Sequence, residues 1–159
     1  MSRKGQVKLR QTHPDPIYGN RLVEKLISRV MKGGKKTVAQ SLVYGALQNI
    51  REETKEDPIQ VFISALESVK PTMEVRSRRV GGAAYQVPMP VRGSRRESLA
   101  IRWLIQAAQR RSNKEYHTFA QKLKAEILDA YKGAGGAVSK KKEMERVAEA
   151  NRAFAHFRW

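Results

Sequence analysis

Apolar residues recur along this chain at spacings of three and four, in blocks separated by polar or glycine-rich stretches. Leu22, Val23, Leu26, Ile27 and Val30 share one helical face, and the Gly33-Gly34 pair that follows stops the pattern. A second block from about Lys36 to Glu53 gathers Val43, Ala46, Leu47 and Ile50 on one side. Asp57-Pro58 then marks a helix start, with aspartate at the N-cap, proline at the first helical position and Gln60 placed to complete a capping box; Pro71 ends that helix. Ser94 with Glu97 and Ser112 with Glu115 show the same capping-box spacing, so two further helices are expected, the second running to about Lys132 before Gly133. A last, lysine-rich helix is expected from roughly Ala137 to Ala150. The chain has no internal repeat.

Between Pro71 and Ser94 the helical period disappears. The stretch "RSRRVGGAAYQVPMPVRGSRR" at 76–96 instead fits a β-hairpin spanning about 73–91, with Gly81-Gly82 as a two-residue turn. That register sets Val80 opposite Ala83, Arg78 opposite Tyr85 and Arg76 opposite Val87 as hydrogen-bonded pairs. Pro88 and Pro90 then both fall at non-hydrogen-bonded positions, where a missing N–H removes no ladder bond. Arg76, Arg78, Tyr85 and Val87 share a face, on which arginine can pair with a phosphate and tyrosine can stack on a base.

The fold expected is mainly α, a single domain of about six helices in a bundle at 17–150 with one protruding hairpin. At 159 residues the chain is long enough to bury roughly 70% of its unfolded surface. Residues 1–16 carry Arg3, Lys4, Lys8 and Arg10 with almost no apolar side chains and read as a flexible basic arm, which either orders on a partner or only solubilises the chain. Residues 151–159 interleave Arg152, Phe154, His156, Phe157, Arg158 and Trp159, and these aromatics either staple the tail to the bundle or stack on bases.

Charge changes the picture from fold to function. There are 32 lysines and arginines against 15 acidic residues, a net charge of +17, and the pI is about 10.5. A charge of this size points to a polyanionic partner. No apolar stretch approaches the roughly 18 residues of a spanning helix, so a membrane is not the expected partner, and the N-terminus lacks the apolar core of a signal peptide. Cysteine is absent, which removes disulfides and cysteine-based zinc sites. The expectation is a soluble, intracellular chain.

Catalytic and cofactor chemistry finds little support. "KGGKKT" lacks the leading glycine and the Ser/Thr of a P-loop, and "KGAGGAV" has Val138 at the final glycine position of a dinucleotide fingerprint and follows a helix rather than a strand. His13, His117 and His156 include no pair at the i, i+4 spacing of a helical metal site. Glu145 is placed to pair with Lys141 at i, i+4, and Glu52, Glu53, Glu56 and Asp57 form an acidic helix connection on the side turned from a polyanion. In the helix after the hairpin, Arg95, Arg102, Gln106 and Gln109 fall in one narrow arc opposite Ala100, Trp103, Leu104, Ala107 and Ala108. Arg92, Arg95 and Arg96 join that arc to the hairpin as one basic surface. The rival readings are a DNA-architectural protein, whose basic arms and proline ribbons suit a minor groove, and a nuclease or RNA-modifying enzyme, which would need an acid, base and metal constellation not found here.

"DPIYGNRLVEKLISRVMKGGKKTVA", "VRSRRVGGAAYQVP", "LAIRWL" and "KKKEMERVAEANRAFAHFRW", in this order and spacing, resemble the family of small-subunit ribosomal protein seven of bacterial type. The resemblance covers essentially the whole chain; one departure is Ala84, where the family usually has threonine. It implies a structural protein without catalysis or cofactor that binds the 3′ major domain of 16S ribosomal RNA and starts assembly of the subunit head. It also implies a place near the messenger exit and the exit-site transfer RNA, and contact with ribosomal protein eleven and other head proteins. RNA-contacting positions carried over from the family are the basic arm, Lys35 and Lys36, Arg76, Arg78 and Arg79, and Arg92, Arg95 and Arg96, to which the surface argument adds Tyr85 and Arg102. The implied location is the cytoplasm, within the ribosome, and a plastid copy would read the same way.

Overall fold

In the computed structural model, which describes residues 11–157, each apolar stripe of the sequence faces a common core. The elements are α1 (Arg21–Val30), α2 (Lys36–Thr54), α3 (Pro58–Val69), β1 (Met73–Val80), β2 (Ala83–Pro90), α4 (Gly93–Arg110), α5 (Phe119–Tyr131) and α6 (Gly135–Ala150), followed by a 3-10 helix at Arg152–Phe157. α5 lies at the centre and packs on α2, α3, α4 and α6. Leu123 and Ile127 of α5, with Leu26, Ile27, Leu47, Ile50, Phe62, Leu66 and Leu104 around them, are fully buried, each contributing about 1.5–3 kcal/mol of transfer free energy. Nine large side chains on five helices are enough to hold a bundle from which a hairpin can project.

The hairpin has the register expected from its prolines: Val80 pairs with Ala83, Arg78 with Tyr85, Arg76 with Val87, Val75 with Pro88 and Met73 with Pro90. Gly81 and Gly82 take φ of +57° and +89°, the left-handed values that a type I′ turn requires at both central positions. The base of the ribbon is embedded, with Glu74, Val87 and Pro88 buried, while Arg79 to Ala84 are largely exposed.

Several helix starts differ from those the capping pattern suggested. α4 begins at Gly93 with Arg92 at the N-cap and no side-chain cap, because Glu97 turns away from Ser94 toward two α1 cations, Lys25 at 2.5 Å and Arg21 at 3.4 Å. Ser112 and Glu115 open no helix: α5 starts at Phe119, where Thr118 and Gln121 make a complete capping box. Residues 111–118 are held as a turn instead, since Lys122 Nζ donates to the Arg111 carbonyl at 2.6 Å and to Asn113 Oδ1 at 2.5 Å. α6 begins at Gly135, ahead of Ala137. The buried Glu126 carboxylate accepts the Ala137 N–H at 2.9 Å, doing from another helix what an N-cap side chain at Ala134 would do. At α3 the Asp57 carboxylate accepts from the Ile59 N–H at 3.0 Å, without the Gln60 half of a capping box. Glu145 does not pair with Lys141 but accepts from the Thr72 N–H at 3.1 Å and hydroxyl at 2.8 Å, while Lys141 donates to the Ser68 carbonyl. The two side chains thereby dock α6 onto the last turn of α3 and the α3–β1 connection.

The boundary drawn at residue 16 falls inside structure. Asp15 is 1% exposed, accepting from the Ile17 and Tyr18 N–H groups at 3.2 and 3.0 Å and from the Tyr44 hydroxyl at 2.6 Å. Arg3, Lys4, Lys8 and Arg10 of the arm, and Arg158 and Trp159, lie outside the described residues.

Candidate nucleic-acid interface

The polar stripe of α4 forms the spine of the basic surface. Arg95, Arg102, Gln106 and Gln109 are exposed, while Ala100, Trp103, Leu104 and Ala108 opposite them are buried, as the helical period requires. Ser98 belongs to the same stripe, and there α1 comes alongside: Arg29 Nη2 donates to Ser98 Oγ at 3.2 Å. Together with the ion pairs from Lys25 and Arg21 to Glu97, this contact opens a groove between α1 and α4 lined by Lys25, Ser28, Arg29, Ser94 and Ser98. Burial would raise the Glu97 carboxyl pKa, but the hydrogen bond from Lys25 and the charges of Lys25 and Arg21 outweigh it and hold the group below its ordinary value. At the far end of α4, Lys32 and Lys35 share a depression with Gln109. Hydroxyls and cations lining an open groove are the donor set that phosphate oxygens accept.

The hairpin joins the other end of the stripe through Glu74. One carboxylate oxygen accepts from Arg76 Nε and the other from Arg95 Nε, both at 2.6 Å. Arg92 is exposed at the start of α4, where the positive end of the helix dipole adds to its charge. Arg96 is half-buried and donates to the Pro71 carbonyl at 3.1 Å, which fastens α4 to the end of the α3–β1 connection. Arg79 is exposed on the opposite face of the ribbon from Arg76 and Arg78. Lys36, at the start of α2, is tied to Glu24 at 2.5 Å, so it serves packing of α1 on α2 as well as surface charge.

Tyr85 stands apart from the expectation of base stacking. Its ring packs on Phe154 and on Phe157, each with centroids 5.3 Å apart, and Phe157 meets His156 at 4.0 Å. Phe154 and Phe157 therefore dock on the hairpin, a third arrangement beside the bundle and base alternatives. Tilted aromatic pairs at this distance are favourable by about 0.5–1.5 kcal/mol beyond their burial.

Arg21, Lys25, Arg29 and Lys32 were not among the residues singled out from the sequence, yet α1 brings all but Lys32 against α4 or its groove. A signal for them existed, because they form the polar complement of the apolar stripe at Leu22, Val23, Leu26, Ile27 and Val30. Glu74 carried no such signal, and the spacing of Glu97 from Ser94 suggested only a helix cap; the partners these two acids take are 2, 21, 72 and 76 residues away. Among the described residues no group of acidic and histidine side chains is arranged to hold a metal, and no helix is long and apolar enough to cross a membrane.

The family model described as ribosomal protein S7p/S5e matches residues 2–152. The chain is 55% identical over 159 residues, the full length of both, to the small ribosomal subunit protein uS7 of Caldicellulosiruptor bescii. It is 54% identical over 157 residues, 99% of each chain, to the uS7 protein of Thermotoga petrophila, and 54% over the full length to that of Rhodopseudomonas palustris. With a helical bundle, a projecting hairpin and a basic surface that runs from one to the other, this chain belongs to the ribosomal protein S7p/S5e family, non-enzymatic structural components of the ribosome.

Proposed function

We propose that the basic surface binds the 3′ major domain of 16S ribosomal RNA, and that by holding it the protein starts assembly of the head of the small subunit. The observation that carries this reading is the continuity of the surface: α4 is tied to the hairpin through Glu74 and to α1 through Glu97 and Ser98, so cations from three elements face outward as a unit. Phosphate contacts from Arg76, Arg78, Arg79, Arg92, Arg95 and Arg102, with Lys32 and Lys35 at the far end, supply affinity. The fixed angle between hairpin and helix supplies register on a folded RNA, whose A-form helices are read by shape and backbone rather than in a deep groove. The basic arm with Arg3, Lys4, Lys8 and Arg10 adds charge to the same interaction. A place near the messenger exit and the exit-site transfer RNA, beside ribosomal protein eleven, follows the resemblance and fits a hairpin that projects beyond the bundle.

Footprinting the purified protein on 16S RNA tests the proposal. Protections are expected in the 3′ major domain, and Arg95→Gln with Arg102→Gln should cost about 1.5–3 kcal/mol for each charge-assisted bond lost. Equal competition by duplex DNA would instead favour an architectural DNA-binding protein.

A further inference from the structure

Glu74 is an acid in the middle of a surface that otherwise presents cations. It is 5% exposed, and each of its carboxylate oxygens accepts from one Nε at 2.6 Å. The two arginines it holds come from different elements, Arg76 from β1 and Arg95 from the first turn of α4, and half of each of their side chains remains exposed, 51% against 6% for Glu74. A guanidinium has five N–H donors in a fixed fork. Engaging Nε orients the fork, and among the described residues the Nη groups of Arg76 and Arg95 donate to no further acceptor.

We infer that Glu74 organises Arg76 and Arg95 into a two-guanidinium clamp for one phosphodiester of the bound RNA, as a positioning residue that touches no nucleotide itself. The inference rests on the RNA-binding reading above. Two guanidiniums brought together would repel each other, and a carboxylate shared between them offsets that repulsion while leaving a net charge of one at the site. The remaining donors of both forks then suit the oxygens of a single phosphate monoanion, since guanidinium pairs with phosphate in a bidentate manner. The clamp also fixes the hairpin relative to α4, because the bridge is made across the two elements.

The sign of one substitution separates this role from simple proximity. Glu74→Gln removes a negative charge beside the RNA; if Glu74 were a bystander, binding should stay equal or tighten, as polyanion electrostatics demands. As a positioning residue its loss should weaken binding by about tenfold or more, on the scale of one charge-assisted bond, because glutamine offers one acceptor oxygen where two are needed. In an Arg76→Gln, Arg95→Gln background the same Glu74→Gln change should cost nothing further, whereas a merely structural glutamate would cost the same factor in either background. A measurement that leaves Glu74 in place is independent of its effect on folding: if both arginines grip one phosphate, either single arginine variant should lose nearly as much affinity for the 3′ major domain RNA as the double variant. Additive losses, or unchanged or tighter binding by a folded Glu74→Gln protein, would overturn the clamp. If neither arginine variant weakened binding at all, the RNA reading of this junction would fall as well, a result distinct from failure of the clamp alone.

Discussion

At the residue scale, the buried acids are the points on which the structure turns. Asp15 shows how one carboxylate organises a loop, binding two N–H groups of its own turn and the Tyr44 hydroxyl of α2. Burial and then the hydrogen bond to Asp15 raise the Tyr44 pKa from 10.0 to about 12. A pKa raised on folding means that the protonated phenol stabilises the native state below the unfolded value, and that this contribution is lost as pH climbs through the folded value. The hydrogen bond to Asp15 should make wild type more stable than Tyr44→Phe at neutral pH, and because of the raised pKa the difference in urea midpoint should shrink between pH 10 and 12. A difference that stayed constant across that window would show that Tyr44 acts through packing rather than through its proton.

At the scale of elements, stereochemistry and capping decide where structure starts and turns. Four sites in this chain carry capping-box spacing, at Asp57, Ser94, Ser112 and Thr118, and among them only Thr118 makes both bonds. Thr118→Ala should thus cost about 1 kcal/mol in thermal or urea unfolding, whereas Ser94→Ala, which removes no cap bond, should stay within a few tenths. In the hairpin, Gly81 sits at φ +57° with open space around the position of a Cβ. Valine there meets no neighbour and is opposed by its own backbone, at a cost of about 1–2 kcal/mol for a left-handed residue and more for a β-branched one. Gly81→Val should lower RNA affinity although no charge is removed, while the melting temperature of the bundle changes little. A large fall in melting temperature would place the hairpin within the cooperative core.

At the scale of the whole molecule, a net charge of +17 makes association with RNA a release of counterions as much as a set of contacts. If about 6–10 phosphates are neutralised, affinity should fall by about three to five orders of magnitude between 50 and 200 mM salt on the duplex-DNA scale, and less steeply for single strands. A filter-binding titration across that range measures the slope directly, and a flat response would mean that burial of apolar surface, not charge, drives the association. The bundle beneath the charge keeps an apolar interior, with Phe62, Leu66, Leu123 and Ile127 inside, and several of its cations are paired with acids, among them Arg111 with Glu126 and Lys124 with Glu53.

Helix faces, hairpin register and basic character were determined by the sequence alone, since each depends on short-range geometry. Leu26 and Ile27 turn inward because a helix repeats every 3.6 residues, and the pairing of Arg76 with Val87 follows from a two-residue glycine turn and a strand period of two. The helix starts were only partly legible, because Ser94, Ser112 and Thr118 carry equivalent local signals and their competition is settled by long side chains arriving from elsewhere, Lys25 to Glu97 and Lys122 to Arg111. The same holds for the interface: its arginines could be read from composition and spacing, while Glu74, Glu97 and the cations of α1 acquired their places only through folding. Which of 32 basic residues an acid meets is set by distance in three dimensions, over separations up to 76 residues in this chain, and no local period encodes that. The docking of Phe154 and Phe157 on Tyr85 was decided in the same way, by a hairpin surface that exists only once its two strands have paired.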